Sequence, residues 1–234
     1  MPFRNLTLDE LAHHIGMDVR EVKRLADRGV LPGQHVGGAW RFNRAQMLEW
    51  LQREMHHLEP EQIERLERAM SDVKDEVFIS PMLPTEGIEL NLPARSKASV
   101  IRELVNLADR ANLLYDPPAM LAALQDREEM CPTALPGGVA FPHPRRPLEN
   151  AIGEPLLCLA RVPAGIPFGA PDGQLTDLFV LVCAQDERHH LRTLARLSLL
   201  FSSGVGDALR GTETPHEALI VIQEFEQRLL AERK

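Results

Sequence analysis

The spacing of the apolar residues changes between the first quarter and the last two thirds of this chain, and that change limits the folds it can adopt. Up to residue 55 the apolar residues recur at helical spacing, in short runs that end at glycines. From Val77 onward, helical runs alternate with short continuous apolar runs of the kind that form buried strands. A chain of 234 residues has room for both parts as separate domains. The pattern therefore predicts a small, mainly helical domain followed by an α/β domain.

Composition sets the broad class of protein. Hydrophobic residues make up 44% of the chain and charged residues 26%, as in ordinary globular proteins. No apolar run reaches the roughly 18 to 20 residues of a membrane span, and the N-terminus lacks the apolar stretch of a secretory signal. These observations predict a cytoplasmic protein of bacterial type without a membrane span. The three cysteines show no C-x-x-C spacing, and neighbouring histidines do not share a helix face, so no metal or cofactor is expected.

Turn and cap residues divide the first 55 residues into helices and a hairpin. Thr7 and Glu10 have the spacing of a capping box, and Gly16 is placed to end the helix that follows. A second helix is predicted from about Asp18 to Arg28. The paired glycines at 37 and 38 favour a short hairpin, and Asn43 is placed to cap a third helix.

This order of helix, turn, helix, hairpin and helix resembles the excisionase and MerR-like winged helix-turn-helix family. The matching blocks are Leu6-Thr7-x-x-Glu10-Leu11-Ala12, Gly29-x-Leu31-Pro32-Gly33, Val36-Gly37-Gly38-x-Trp40-Arg41-Phe42 and Trp50-Leu51. The resemblance implies that the second helix enters the major groove of duplex DNA. The candidate DNA contacts are Arg20, Lys23, Arg24 and Arg41. Residues 1–55 carry a net charge of only +1, so a role as a protein-docking module stays open.

Residues 56–76 have a different character from the segments on either side. They hold three basic and seven acidic residues, with a weak helical stripe of apolar side chains. No glycine or serine run marks a flexible tether. We interpret this segment as an acidic helical linker, and a contact in a homodimer is left open.

From residue 77 to 234 the sequence predicts alternating helices and strands. Helices are expected over Ser96–Asn112, from Asp116-Pro117, over Glu187–Phe201 and from Thr214-Pro215, and strands over Gly138–Phe141, Leu156–Val162 and Leu175–Ala184.

The segment around His143 carries the chemistry. Pro142 fixes its own φ, and Pro144 disfavours the helical region at His143, so the imidazole lies on a stiff extended segment that follows a strand. An unperturbed imidazole titrates near pH 6.5, and its neutral form is a nucleophile. Phosphoryl transfer requires chiefly positioning and donors to the phosphoryl oxygens. His143 is therefore the candidate phosphoryl acceptor.

The same region resembles the fructose/mannitol/nitrogen-regulatory enzyme IIA family of the bacterial phosphotransferase system, type 2. The matching blocks are Gly138-Val-Ala-Phe-Pro142-His143, Arg127-Glu128 with Thr133, Ile166-Pro-Phe-Gly169-Ala-x-Asp172-Gly173-Gln174 with Asp177-Leu178, and His190-Leu191-x-x-Leu194. The resemblance implies a mixed β-sheet flanked by helices. It also implies phosphorylation of His143 by an HPr-like carrier protein, with IIB-type or regulatory proteins as further partners.

Five other residues are assigned supporting roles by this resemblance and by their chemistry. His190 and Arg127 are expected to assist transfer, and Thr133, Arg145 and Arg146 are candidates for contacts with the phosphoryl group or a partner. The chain departs from the family pattern at Pro136 and Pro144, where glycine is usual, and both prolines remove an N–H that could donate to phosphate.

Two functions follow from this combination. In the first, the protein is a transcriptional regulator whose DNA binding responds to phosphorylation of His143. In the second, it is a phosphocarrier or regulatory IIA protein that acts on other proteins, with the first domain as a docking module. Whether it is to be counted as an enzyme in its own right stays open.

Overall fold

The computed structural model describes residues 5–55, 58–70, 77–148 and 150–232. The chain divides into two compact units, residues 1–77 with 194–199, and residues 78–193 with 200–234. The division at residues 55 and 77 into domain, linker and domain stays a prediction.

In its described residues, the first unit contains a three-stranded antiparallel sheet and four helices. Its elements are β1 (Asn5–Leu6), α1 (Leu8–Ile15), α2 (Val19–Asp27), β2 (Gly33–Val36), β3 (Ala39–Asn43), α3 (Arg44–Glu54) and α4 (Pro60–Met70). Strand β3 lies between β1 and β2. The predicted caps are confirmed: Thr7 forms a capping box with Glu10, Gly16 ends α1 in the left-handed region, and Asn43 caps α3.

Helix α4 lies in the segment interpreted as a linker, and it packs against α1. Its apolar side chains Ile63, Leu66 and Met70 are buried. A side chain at Gly16 would overlap the carbonyl oxygen of Arg65, so the missing Cβ allows α1 to end against α4. The apolar stripe considered for a homodimer is thus covered within the chain.

Among the described residues, the second unit contains a five-stranded mixed sheet and five helices, one of which has its residues 194–199 grouped with the first unit. Its elements are β4 (Ile88–Glu89), α5 (Lys97–Arg110), α6 (Pro117–Met130), β5 (Ala134–Leu135), β6 (Val139–Ala140), β7 (Leu156–Ile166), β8 (Thr176–Cys183), α7 (Glu187–Ser202), α8 (Val205–Arg210) and α9 (Pro215–Glu232). The strand order is β4-β7-β8-β6-β5. Strand β6 runs parallel to β8 and antiparallel to β5, which confirms the predicted mixed sheet flanked by helices.

The core of this unit lies between the sheet and helices α5 and α6. The central strands β7 and β8 pair with each other. Most of their residues are apolar and buried, as is typical of strands that are covered on both faces of the sheet. Leu104, Met120 and Phe179 are among the fully buried side chains. Among the residues that the structure describes, no helix has the length and apolarity needed to cross a membrane.

Candidate functional site

His143 lies three residues after the end of the short strand β6, and the intervening backbone is anchored on both sides. The N–H of Phe141 donates to the carbonyl oxygen of Thr133 at 3.1 Å, and the N–H of Val182 donates to the carbonyl oxygen of Pro142 at 2.9 Å. These bonds extend the pairing of β6 with β5 and β8 by two residues. The extended, proline-flanked segment predicted from the sequence is therefore held by strands on either side.

The hydrogen bond of His143 fixes which ring nitrogen carries the proton. Nδ1 lies 2.6 Å from the carbonyl oxygen of Phe141. A carbonyl oxygen can only accept, so in the neutral ring Nδ1 carries the hydrogen and Nε2 keeps its lone pair. Within the described chain, Nε2 is buried without a hydrogen-bond partner. The nucleophilic atom of the ring is thus Nε2.

The ring of His190 lies beside that of His143, and the charge of Arg127 acts on both rings. The rings of His143 and His190 have centroids 5.0 Å apart at an interplanar angle of 59°. His190 is located in the first turn of α7, and neither of its ring nitrogens has a partner in the described part of the chain. Arg127 lies near the end of α6, is 7% exposed, and donates from Nη1 to the carbonyl oxygen of Cys131 at 2.6 Å.

Burial and local charge keep both imidazoles neutral. Burial lowers the pKa of His143 well below its ordinary value, and the nearby His190 and Arg127 lower it further. Burial, with the positive charge of Arg127, lowers the pKa of His190 to about 4. Two neutral histidines beside a cation form a cluster that carries a net positive charge and offers N–H donors. Such a cluster suits a phosphoryl group better than it suits a cation.

Thr133 is buried, and its hydroxyl is directed at a carboxylate. Its Oγ1 lies 2.6 Å from Oε2 of Glu128, and its backbone N–H donates to Oε1 of the same residue at 2.9 Å. Glu128 itself is 4% exposed and pairs with Lys97 at 3.0 Å. The sequence motif includes Glu128, but no role was predicted for it, and Lys97 was not among the predicted residues. The signal was a carboxylate next to Arg127 on a helix face that turns out to be buried.

The remaining predicted residues around His143 lie at the surface. Arg145 and Arg146 are exposed, two and three residues after His143. Pro136 is exposed in the turn between β5 and β6. That turn is held by Asp172, which accepts from the N–H of Gly137 at 3.0 Å, and by Arg210, which donates to the carbonyl oxygen of Gly137 at 2.6 Å. Asp172 therefore supports the turn.

The four candidate DNA contacts lie on α2 and β3 of the first unit. Arg20, Lys23 and Arg24 are exposed on α2, and Arg41 is half-buried on β3. Lys23 pairs with Asp27 at 2.5 Å and Arg24 with Glu21 at 3.7 Å, whereas Nη1 of Arg41 donates to the carbonyl oxygen of Trp40 at 3.0 Å.

Asp27 also connects α2 to the hairpin. The indole N–H of Trp40 donates to its Oδ1 at 3.2 Å. The hydrogen bond from Lys23, and to a smaller extent that from Trp40, holds the pKa of this carboxyl below its ordinary value. The hairpin and the candidate recognition helix are therefore joined at the face that carries the cations.

A mixed α/β fold with two neighbouring buried histidines, one in the segment after a strand and one in the first turn of a helix, together with a winged helix-turn-helix unit, defines the class of this protein. Residues 81–225 match the family model for the phosphoenolpyruvate-dependent sugar phosphotransferase system, EIIA 2, and residues 6–55 match that of a helix-turn-helix domain. The chain belongs to the EIIA 2 family and carries a helix-turn-helix domain before its IIA-type domain.

Relatives with assigned roles match the second domain. The fructose-specific EIIA component of Haloferax volcanii is 35% identical over 129 residues, which cover 54% of this chain and 80% of that protein. The nitrogen regulatory protein of Pseudomonas aeruginosa is 31% identical, covering 57% of this chain and 86% of the relative. The fructose-specific EIIABC component of Bacillus subtilis is 31% identical, and only 19% of its length is matched.

Solved structures show the same fold. The nitrogen regulatory protein IIA-Ntr from Neisseria meningitidis superposes with a TM-score of 0.56 at 24% identity, covering 62% of this chain and 98% of the other. IIA mannitol from Escherichia coli superposes with a TM-score of 0.52 at 22% identity, covering 59% and 97%.

Proposed function

We propose that this protein is a transcriptional regulator in which phosphorylation of His143 changes the affinity of the helix-turn-helix domain for DNA. The observation that carries the proposal is the cluster of His143, His190 and Arg127, in which one imidazole presents an unprotonated Nε2 beside a buried cation. This cluster lies on the same chain as a helix-turn-helix domain with exposed cations.

The chemistry at His143 needs no proton transfer from its ring. The lone pair of Nε2 attacks phosphorus, a nitrogen–phosphorus bond forms, and the bond from phosphorus to the donor breaks. Nδ1 keeps its hydrogen and its bond to the carbonyl oxygen of Phe141 throughout. Because the depressed pKa keeps the ring neutral, nearly all of the protein holds a nucleophilic histidine at neutral pH.

Arg127 and His190 would stabilise the phosphoryl group during transfer. Charge spreads over the phosphoryl oxygens in the transition state, so a nearby guanidinium and an imidazole N–H stabilise it electrostatically. Arg145 and Arg146, exposed just after His143, would contact the acidic surface of a partner or the outer phosphoryl oxygens. They would take over part of the role of the N–H that Pro144 lacks.

The expected donor is an HPr-like phosphocarrier, by analogy with the family. A IIB-type or regulatory protein is the expected acceptor, since a solved relative is a complex of enzyme IIA mannitol with phosphorylated enzyme IIB mannitol from Escherichia coli. That relative superposes with a TM-score of 0.53 at 21% identity, so for this chain the pairing is a proposal.

The effect on DNA cannot act by direct repulsion over a long range. A phosphoryl group adds roughly 1.5 to 2 negative charges, but at physiological salt the Debye length is about 8 Å. We therefore expect phosphorylation to act by changing the equilibrium between two arrangements of the protein. A coupling of about 1 to 3 kcal/mol corresponds to a change in DNA affinity of about 5- to 150-fold.

The test has two stages. The protein is incubated with enzyme I, HPr and phosphoenolpyruvate, and acid-labile phosphate is located by mass spectrometry in the wild type and in His143→Ala. We expect a single phosphate on His143 and none in the variant. His216→Ala, which removes an exposed histidine of the same domain, is the matched control and should be labelled like the wild type.

In the second stage, phosphorylated and unphosphorylated protein are titrated against genomic fragments selected at low salt. The proposal that the protein is a regulator is supported if the two forms bind DNA with different affinities. The phosphorylation mixture should then leave the DNA affinity of His143→Ala unchanged. If labelled protein retains no fragment in either state, the alternative of a phosphocarrier with a docking module is favoured. Identical binding curves for both states would show two independent modules.

A further inference from the structure

Glu128 is the start of a continuous chain of hydrogen bonds that ends at the ring of His143. Its carboxylate accepts from both donors of Thr133, the backbone N–H at 2.9 Å and the hydroxyl at 2.6 Å. A carboxylate that takes two bonds from one residue fixes both the position and the orientation of that residue. The backbone of Thr133, which leads directly into β5, is therefore set by a side chain on α6.

The next two bonds run from Thr133 to the histidine. The carbonyl oxygen of Thr133 accepts from the N–H of Phe141 at 3.1 Å, and the carbonyl oxygen of Phe141 lies 2.6 Å from Nδ1 of His143. These donors and acceptors belong to consecutive peptide units, so a displacement of Thr133 moves the acceptor of the imidazole. That acceptor is the group that keeps the proton on Nδ1 and leaves the lone pair on Nε2.

Glu128 is itself held against movement. Nζ of Lys97 lies 3.0 Å from its Oε1 and 5.1 Å from the centroid of the Phe168 ring. A carboxylate that is 4% exposed would be strongly destabilised without such partners. The ammonium and the two donors of Thr133 together satisfy both carboxylate oxygens.

We propose that Glu128 is a positioning residue for His143, which acts through Thr133 and Phe141 to hold the ring in the Nδ1–H tautomer with Nε2 aimed for transfer. Thr133 then serves this relay, with its hydroxyl proton committed to Glu128. The effect on the transfer rate rests on the proposed function, whereas the effect on the tautomer does not.

The test measures the tautomer and the rate separately on the full chain. The ring nitrogens of His143 are observed by ¹⁵N NMR in the wild type, Glu128→Gln, Thr133→Val and Glu129→Gln. Glu128→Gln removes the charge and replaces one acceptor oxygen by an NH2 donor, and Thr133→Val replaces the hydroxyl by a methyl group with almost no change of shape. Glu129→Gln makes the same change one residue later at an exposed position and is the matched control.

We expect the wild type and Glu129→Gln to show the Nδ1–H tautomer alone. Glu128→Gln and Thr133→Val should show a measurable fraction of Nε2–H tautomer, and phosphoryl uptake that is slower by about 10- to 100-fold, as is typical when a group that orients a reactive side chain is lost. Circular dichroism at the assay temperature confirms that each variant is folded.

Several results would overturn the inference. A wild-type ring in the Nε2–H tautomer contradicts it directly, without any variant. Slower uptake in Thr133→Val with an unchanged tautomer would assign the hydroxyl to the phosphoryl group instead. A variant that only lowers stability while tautomer and rate stay as in the wild type reduces Glu128 to a structural role. If the wild type accepts no phosphoryl group, the proposed function fails. The tautomer of His143 in the wild type and in Glu128→Gln still shows whether Glu128 positions the ring.

Discussion

In the helix-turn-helix domain three of the four candidate DNA contacts are exposed, whereas in the IIA-type domain the cluster of His143, His190 and Arg127 is buried. Lys23 has a side chain that is 60% exposed and pairs with a carboxylate of its own helix. His190, in contrast, is fully buried, and its pKa is lowered to about 4. Exposed charges are screened by salt and exchange partners easily, whereas buried groups keep one geometry and interact strongly.

This difference predicts how each domain responds to substitution. A single exposed cation contributes little to a salt-dependent surface, and its loss is partly compensated by its neighbours. A single buried group that acts on a reacting atom contributes in full, because no water or other side chain takes its place.

The largest effect is expected from the cation and the second imidazole of the buried cluster. Arg127→Ala and His190→Ala should each slow phosphoryl transfer to His143 by about 30- to 1000-fold, equal to about 2 to 4 kcal/mol of transition-state stabilisation. The rate is measured by rapid-quench labelling with phosphorylated HPr. Arg110→Ala, at an exposed arginine of the same domain, is the control. Wild-type rates in both folded variants would remove the two residues from the mechanism.

Stability should depend on pH through the buried histidines. In the unfolded chain the pKa of a histidine is about 6.5, whereas in the folded protein the pKa of His190 is lowered to about 4. As the pH falls below the unfolded value, the unfolded chain binds protons that the folded site excludes, so the free energy of unfolding decreases. At about pH 5 the lowered pKa of His190 decreases the free energy of unfolding by about 2 kcal/mol relative to neutral pH.

The contribution of His190 is measured by urea denaturation, followed by circular dichroism, at about pH 7.5 and about pH 5. The loss of stability between the two values should be smaller in His190→Phe than in the wild type, whereas His216→Gln, at an exposed position, should lose as much as the wild type. Equal losses in all three proteins would mean that His190 is protonated at the lower pH in the folded state.

The smallest effect is expected for one cation of the helix-turn-helix domain. Arg20→Ala should weaken binding to every retained DNA fragment to a similar degree and reduce the slope of log affinity against log salt by about one. Arg102→Ala, at an exposed arginine of the IIA-type domain, should leave the slope unchanged. A loss that differs between fragments would instead indicate that Arg20 contacts a base.

Much of the fold follows from local signals in the sequence. The capping residues Thr7, Asn43 and Asp116 begin helices where they were expected, and the glycine pair at 37 and 38 turns the hairpin between β2 and β3. Such signals involve residues close in sequence, so they need no knowledge of the remaining chain. The motif around His143 likewise indicated which residues would meet, through its resemblance to a family.

Other elements depend on distant partners. Strands β4 and β5 have two residues each and exist because β7 and β6 lie beside them. The helix α8 was missed between α7 and α9, and the helix expected as a linker packs against α1. Helix α8 has six residues and strands β4 and β5 have two each, so these segments are too short to show the hydrophobic periodicity of a helix or a strand.

The sequence alone singled out His143 as the candidate phosphoryl acceptor, through the resemblance of its segment to the IIA family, and the two flanking prolines restrict its backbone whatever surrounds it. Only the tertiary structure decided its protonation. The choice of Nε2 as the nucleophile depends on a carbonyl oxygen 2.6 Å from Nδ1, and the neutral state of both rings depends on their burial beside Arg127. Hydrogen bonding and desolvation arise between segments far apart in the chain, and no local pattern encodes them.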